Sequence, residues 1–361
     1  MEVYITKIAF FSQTKNFHYK LYKIHRHSFW NQCNDSKNSL KMNDSKRILV
    51  IGGAGLIGSH LCRSLVDRNY DVYCMDIRSC ESSPILREMM TLTNFNYIRH
   101  NVVNQFGINV DEIYNLASPS ILRYDQAMEV ETHKVNIIGT LNCLESAKIN
   151  RSRVLFASSG AVYGAVRQQS MHEEQPFGPA RSALAESKRA AESLVRAYKD
   201  EYQVDGKIAR IFNTYGTGAD LNDQRVITKM VVEALSNRNL TIYGNGEQLR
   251  SFCWVGDLVD GLIRLMNRLP DVKVPTVNIG SNHEISIRAL AEKIIDMTGS
   301  RSKIIHQNAR NDDPRHKSPD ISRAREMLGW QPTTTLDEGL HRVISDVENA
   351  LTQVRSWVEV H

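Results

Sequence analysis

The stretch RILVIGGAGLIGSHLCRSLV, residues 47–66, decides the fold. Arg47–Ile51 is a short β-branched apolar run, suited to a parallel strand buried on both faces. It passes directly into Gly52-Gly53-Ala54-Gly55-Leu56-Ile57-Gly58, in which Gly53, Gly55 and Gly58 satisfy G-x-G-x-x-G. Leu56, Leu61, Leu65 and Val66 then mark a helix, and Asp71–Asp76 (DVYCMD) reads as a second strand ending in an acid. Glycines in such a turn let backbone N–H groups approach a pyrophosphate, and the helix N-terminus faces it with partial positive charge. Asp76 stands where a carboxylate would bind the adenosine ribose hydroxyls and repel a 2′-phosphate, so NAD is favoured over NADP. Arg78 is close enough in sequence to moderate that preference.

Working outward, strand and helix patterns alternate. Asn96–Arg99 (NYIR) and Glu112–Leu116 (EIYNL) read as strands. Asp125–Ile149 reads as a long helix with apolar Val130, Val135, Ile138, Leu141 and Leu144. Val154–Ala157 (VLFA) is a further strand, Ser182–Tyr202 a further helix, and Lys207–Phe212 (KIARIF) closes the series. This predicts an α/β fold, a Rossmann-type doubly wound parallel sheet. Beyond Asn213 the pattern is less regular and predicts a smaller C-terminal substrate-binding lobe over the carboxyl edge of the sheet. The expected organisation is a poorly ordered extension at 1–45, an NAD-binding domain at 46–212, and a lobe at 213–361 with some segments returning to the sheet.

Composition narrows the function classes. With 42% hydrophobic and 24% charged residues, the chain is an ordinary globular protein rather than a disordered or fibrous one. The net charge of +5 is concentrated in residues 1–45, which hold seven Lys/Arg against three Asp/Glu. The near-neutral remainder gives no electrostatic case for nucleic-acid binding. Residues 1–45 are aromatic-rich and lack a signal-peptide pattern; the expectation is a dispensable leader ahead of a start at Met42, with an arm for membrane or partner contact as the alternative. No apolar run reaches the length of a membrane span. The six cysteines are scattered, without metal-ligand spacing, which predicts reduced thiols, no metal site and a cytoplasmic protein.

Several stretches in order carry a family resemblance. They are Ile51–Gly58 (IGGAGLIG), Arg99–Val103 (RHNVV), Asn115–Ser118 (NLAS) and Asn136–Leu141 (NIIGTL). They continue with Ala157–Gly164 (ASSGAVYG), Ala209–Gly216 (ARIFNTYG), Leu240–Asp260 (LTIYGNGEQLRSFCWVGDLVD) and Pro319–Trp330 (PDISRAREMLGW). From Met42 to about Val347 the chain resembles the extended short-chain dehydrogenase/reductase superfamily, NAD-dependent enzymes acting on nucleotide sugars. Within it, the chain looks most like UDP-glucuronate decarboxylases, with dTDP-glucose 4,6-dehydratases and 4-epimerases behind. The resemblance implies NAD held by Gly52, Gly55, Leu56, Ile57, Gly58, Asp76 and Lys188, with Asn101 near the adenine. It implies a nucleotide-sugar substrate, a UDP-sugar, met by Asn213, Arg225, Tyr243 and Arg250. Asn136 would support the active-site helix, Lys317 would face a phosphate or simply be solvated, and the chain would form a homodimer through the helices near Asp125–Ile149 and Ser182–Tyr202, whose apolar faces suit core packing equally well.

The resemblance breaks at the chemistry. In the superfamily a tyrosine, helped by a lysine four residues later, takes the proton of the sugar C4 hydroxyl, and a Ser or Thr holds that hydroxyl. The spacing puts Tyr and Lys on one helix face, and the Lys charge favours the phenolate. Here Lys188 and Ser159 are in place, but Leu184 occupies the tyrosine position, and Gly160 and Ala161 stand where acidic groups are common in the family. Candidate substitutes are Glu186, Tyr163, Ser118, Ser120 and Tyr124. Three expectations follow: a decarboxylase-like enzyme, an impaired paralogue that binds NAD and nucleotide sugar as a regulatory or binding subunit, or a dehydratase- or epimerase-like enzyme using another base.

Overall fold

The computed structural model describes residues 45–119, 128–165, 170–180, 182–271, 273–308 and 318–360. Except for Ser45, the expectation for residues 1–45 falls outside them, as do Ser120, Tyr124 and Lys317.

Seven parallel strands form the central sheet: β1 (Arg47–Ile51), β2 (Asp71–Asp76), β3 (Phe95–Arg99), β4 (Glu112–Asn115), β5 (Arg153–Ser159), β6 (Gly206–Ile211) and β7 (Thr276–Ile279). Their spatial order is β7-β6-β5-β4-β1-β2-β3. The order reverses between β1 and β4, and a crevice for ligands opens at the carboxyl ends of strands at such a point.

The apolar runs form strands because both faces of the sheet are covered. In β1 alternate side chains serve two cores, as the two-residue period of a strand requires. Ile48 and Val50 pack with Leu61 and Leu65 of α1 (Leu56–Val66) and with Leu258 and Leu262. Leu49 and Ile51 pack on the other face with Cys143, Leu144, Ala191 and Val195.

After α2 (Pro84–Met89), the helix read at Asp125–Ile149 is described from Glu129 as three pieces. These are α3 (Glu129–His133), a π-turn at Lys134–Ile138 and α4 (Gly139–Asn150). Its apolar residues divide between core and surface. Leu144 is buried, but Val130, Ile138 and Leu141 lie on the exposed side, because the buried side of this segment is occupied by the polar residues Thr132, Asn136 and Thr140.

The helix read at Ser182–Tyr202 is α5 (Ala183–Tyr202), with Ser182 as its N-cap accepting from Ala185 N. After Asn213, α6 (Val226–Leu235) precedes α7 (Val255–Asn267), which packs on the sheet, and β7 completes the sheet beside β6. The rest of this half comprises α8 (Ile287–Thr298), α9 (Ser322–Leu328) and α10 (Leu336–Val360), with paired strands at Leu240–Tyr243 and Ile304–Gln307.

Candidate functional site

The glycine loop joins β1 to α1 at the reversal of strand order. Gly52 has a positive φ of 79°, and a Cβ there would come within 2.8 Å of Ala117 N. A Cβ on Gly53 would run into the Cys74 sulfur, and one on Gly58 into the Gly52 carbonyl oxygen. These three glycines are dictated by the fold itself. Gly55 is different: its Cβ would meet only Gly52 O, at 3.3 Å, and Arg78 Nη2, at 4.0 Å. A backbone left bare at the mouth of a helix fits the close approach of a dinucleotide pyrophosphate. Leu56 and Ile57, the first residues of α1, are half-buried here.

Asp76 closes the loop from β2. Its Oδ2 accepts from Ala54 N at 2.9 Å and its Oδ1 from Arg78 N at 3.0 Å. Asn101 follows β3, and its Oδ1 accepts from Val103 N at 3.1 Å, a side-chain turn that redirects the chain there.

The catalytic segment gathers on β5 and α5. Ser159 ends β5, and its Oγ accepts from Ala161 N at 3.2 Å. Leu184, in the first turn of α5, is half-buried. Lys188, one turn further on, is 3% exposed; its Nζ donates to Ala157 O at 2.7 Å and lies 4.7 Å from the Phe156 ring centroid. Burial brings its pKa down from the usual lysine value to about 7, against a smaller opposing pull from Glu192. The cost of burying the ammonium is therefore present below pH 7 and relieved as the pH rises toward the ordinary lysine range. Lys188→Met is expected to be more stable than the parent at pH 7 or below. That margin should shrink between pH 7 and 10.5, with a slope of at most about 1.4 kcal/mol per unit. Urea unfolding of both proteins across this range is the check; a constant margin would refute it.

A run of buried polar contacts holds α5 against the sheet. Asn115 Nδ2 donates to Thr140 Oγ1 at 3.2 Å, and Thr140 Oγ1 to Asn136 O at 2.6 Å. Asn136 Nδ2 donates to Ser187 Oγ at 2.9 Å, and Ser187 Oγ to Ala183 O at 2.6 Å. The π-turn is where Asn136 enters this chain, as such turns often do near functional sites. Thr140 and Ser187 carry no sequence signal of their own. Arg210 does: a charged residue amid KIARIF demands a buried partner, and that partner is Glu192, with Nε–Oε1 and Nη2–Oε2 both at 2.9 Å.

The residues expected to meet the nucleotide sugar are only partly brought together. Asn213, after β6, donates from Nδ2 to Ser251 O at 3.2 Å, and its carbonyl accepts from Cys253 N at 2.9 Å. These contacts tie the strand Leu249–Ser251, which carries Arg250, to the end of the sheet. Arg250 is buried, and its Nη1 donates to Leu249 O at 2.6 Å. Gln248 Nε2 donates to Tyr243 O at 3.0 Å across the intervening turn. Arg225 is instead exposed and engaged by Asp223, whose Oδ2 lies 2.7 Å from its Nε.

The described candidates for the place of the missing tyrosine sit in different surroundings. Glu186 is exposed and lies 3.8 Å from Arg189. Tyr163 is fully buried, donates to Asn278 Oδ1 at 2.6 Å and accepts from Arg210 Nη1 at 3.1 Å. Burial pushes its pKa up to about 12, despite the nearby Arg210. Ser118 Oγ is buried and has no hydrogen-bond partner among the described residues, but an alcohol is a poor proton acceptor. Among the described residues there is no group of His, Cys, Asp and Glu that could hold a metal ion. No helix among them is long and apolar enough to cross a membrane.

Comparison with known proteins agrees with this architecture. The chain is 40% identical over 310 residues to UDP-glucuronic acid decarboxylase 1 of Xenopus tropicalis, covering 84% of this chain and 73% of that one. It is 38% identical over 326 residues to UDP-glucuronic acid decarboxylase 3 of Arabidopsis thaliana, covering 89% of this chain and 94% of that one. Its fold matches a UDP-glucuronic acid 4-epimerase from Bacillus cereus, solved with UDP-glucuronic acid and NAD. That match has a TM-score of 0.77 and 23% identity, over 84% of this chain and 99% of the other. A model of the "NAD dependent epimerase/dehydratase family" matches residues 48–280. That span runs from the glycine loop through Ser159, Lys188 and Arg250 to the last strand of the sheet, and the chain belongs to this NAD-dependent family.

Proposed function

We propose that this protein binds NAD and UDP-glucuronate in the manner of a UDP-glucuronate decarboxylase, with its proton-transfer machinery reduced to Ser159 and Lys188. The names of the curated relatives support this choice of nucleotide sugar. The observation that carries the reading is Leu184, which stands one helical turn before Lys188 and presents a hydrocarbon where the superfamily places a phenol. NAD, when bound, supplies the means to withdraw a hydride from the sugar C4 and return it, with loss of CO₂ between.

The chain's own residues do the rest. The backbone around Gly55 and the start of α1 receives the pyrophosphate. Asp76 accepts from the adenosine ribose hydroxyls, and Lys188 donates to the nicotinamide-side ribose. Ser159 donates a hydrogen bond that orients the C4 hydroxyl. Arg250 pairs with the sugar nucleotide's phosphates, while Asn213 keeps its strand in place. No described side chain takes the C4 proton, so binding and orientation survive and turnover is slow. A positioned base contributes about 10²–10⁴-fold.

The test is to denature the purified protein and identify the released nucleotide, then incubate fresh protein with UDP-glucuronate and follow CO₂ and UDP-pentose by mass spectrometry. Bound NAD with slow or no pentose formation is expected. Rapid turnover would show that another group accepts the proton, and absence of NAD would overturn the reading. Asp76→Ala is expected to weaken NAD binding by about tenfold or more, given about 1.5–3 kcal/mol for hydrogen bonds to a charged group; isothermal titration with an unchanged Kd would refute the assignment.

Val130, Ile138, Leu141 and Ile149, exposed on α3, the π-turn and α4, support a homodimer through this segment. The five described cysteines are all free, which supports a reducing compartment, the cytosol.

A further inference from the structure

The chain between Asn213 and Arg225 is held at its middle by two helices that lie far apart in sequence. Its start, Thr214–Tyr215, pairs with Cys253–Trp254 as a short parallel ladder. It then passes over α1: a Cβ on Gly216 would run into Val255 and come within 3.7 Å of Leu56, the first residue of that helix. The Thr217 carbonyl accepts from His60 Nε2 of α1 at 3.0 Å. The Gly218 N–H donates to Asp346 Oδ2 of α10 at 2.8 Å. Gly218 has a φ of +70°, and Ile85 of α2 stands 3.0 Å from where its Cβ would sit, so the chain can be pinned this closely only at a glycine.

Beyond this staple the chain folds on itself. Asp220 Oδ1 accepts from Asn222 N at 2.8 Å, the Asp220 carbonyl from Asp223 N at 2.8 Å, and Asp223 Oδ1 from Arg225 N at 2.9 Å. Side-chain turns of this kind fix a loop from within. Residues 220–225 are therefore one piece, placed by α6 on one side and by the staple on the other. At the end of that piece Asp223 Oδ2 holds the Arg225 guanidinium through Nε, at 2.7 Å, and through Nη2. Nη1 is left without an acceptor among the described residues. Freeing the staple would leave α1 itself in place, because Leu61 and Leu65 tie that helix to the core.

We propose that Asp346 and His60 are positioning residues for the nucleotide sugar: they fix Thr217–Gly218 against the dinucleotide helix and thereby set where Arg225 meets the nucleotide. The inference rests on the proposed UDP-sugar site and adds two residues that stand outside it, one of them in the C-terminal helix. A guanidinium gives its full charge-assisted contact only when its fork is aimed at the anion. Loosening the staple should therefore cost affinity for the nucleotide and spare the dinucleotide.

The experiment is isothermal titration of the full-length protein, freed of nucleotide, with UDP and separately with NAD. The proteins are the parent, Asp346→Leu, Asp346→Asn, Arg225→Ala and the double variant Asp346→Leu, Arg225→Ala. Asp346→Leu should weaken UDP by about tenfold, the lower end of what one hydrogen bond to a charged group contributes, and NAD by less than about threefold. Asp346→Asn keeps an oxygen for Gly218 N and should bind UDP within about threefold of the parent. In the double variant the loss should be no larger than for Arg225→Ala alone, because two changes along one path do not add. Unchanged UDP affinity in Asp346→Leu overturns the inference, and so does an equal loss of NAD, which marks a general loosening. Full additivity with Arg225→Ala, or an asparagine variant as weak as the leucine one, also overturns it. If circular dichroism shows Asp346→Leu unfolded, His60→Leu cuts the other arm at Thr217 and carries the same expectations and refutations. Those outcomes leave the substrate reading intact, since the parent binds UDP in each. A parent that takes NAD but not UDP overturns the substrate reading and this inference with it.

Discussion

Leu184→Tyr is expected to raise the rate of UDP-pentose formation from UDP-glucuronate by about 10²–10⁴-fold. The new phenol would stand on α5 one turn before Lys188, the spacing that puts both on one helix face. Its position would be held by contacts already present: Asn136 to Ser187 from the π-turn, and Lys188 to Ala157 from the sheet. Burial brings the Lys188 pKa down to about 7, but a phenolate one turn away would draw that proton back, and the ammonium so held makes the phenol ionise more easily. The gain should therefore grow with pH as the phenol loses its proton, and initial rates across pH 6–9 would show it. Ala161 remains as it is in this variant, so the expected gain is one of proton acceptance alone. If the variant binds NAD as the parent does and turns over no faster, the loss of one hydroxyl does not explain the slow chemistry.

The second large effect concerns the wiring behind the site. Arg210 is 3% exposed and Glu192 is fully buried. Arg210 also donates from Nη1 to Glu173 O at 3.0 Å and stacks 4.9 Å from both the Tyr163 and Phe177 rings. Glu192 in turn accepts from Ser158 Oγ at 2.6 Å and Arg196 Nη2 at 3.0 Å. Burial alone would raise the Glu192 pKa, but Arg210, Ser158 and Arg196 hold the carboxyl below its ordinary value. The stability this represents is present above the ordinary glutamate pKa and is lost as the pH falls through the lowered one.

Removing one partner strands a buried charge, which costs about 3–5 kcal/mol. Arg210→Met should therefore unfold at much lower urea than the parent. The double variant Arg210→Met, Glu192→Met should recover most of that loss, because a pair replaced by apolar groups can be nearly neutral. A double variant no more stable than the single one would mean that Arg210 acts through its carbonyl and ring contacts instead. The pair matters to the site because Glu192 lies one turn beyond Lys188, and Ser158 immediately precedes Ser159. It sets the register of α5 on β5.

Much of this was legible in the residues. The runs at Arg47–Ile51 and Asp71–Asp76 are strands with those same bounds, because each carries a short apolar centre that the covered faces of the sheet bury, with its charged residues at the ends. The last strand was not legible. Thr276–Ile279 carries Asn278 in its middle, fully buried, accepting from Tyr163 and donating to Glu173 and Met171. A polar residue satisfied by partners far along the chain looks, locally, like a break. The exposed side of α3, the π-turn and α4 was ambiguous in the sequence, since such a face suits a core or an interface. Its leucines, isoleucines and valines have the spacing of a core face, while Asn136 and Thr140 take the inner side through bonds to residues distant in sequence. The absence of the tyrosine was plain from Leu184 alone. Where Glu186 and Tyr163 stand needed the fold: one is exposed beside Arg189 and the other is buried against Asn278.

The position of β7 also bears on how the chain is made. β6 is flanked by β5 and β7, but its second neighbour is encoded roughly 70 residues later, which at 5–20 residues per second is about 4–14 s of synthesis. During that interval the nascent sheet ends in β6, an apolar strand with one row of unpaired backbone groups, and such an edge invites pairing with another chain. Arg210 lies on that edge strand, and its partner Glu192 has already been synthesised. A ribosome-bound intermediate whose emerged part ends near Ile211 would thus carry a charge held inward on its edge strand, the kind of inward-pointing charge that discourages edge-to-edge association.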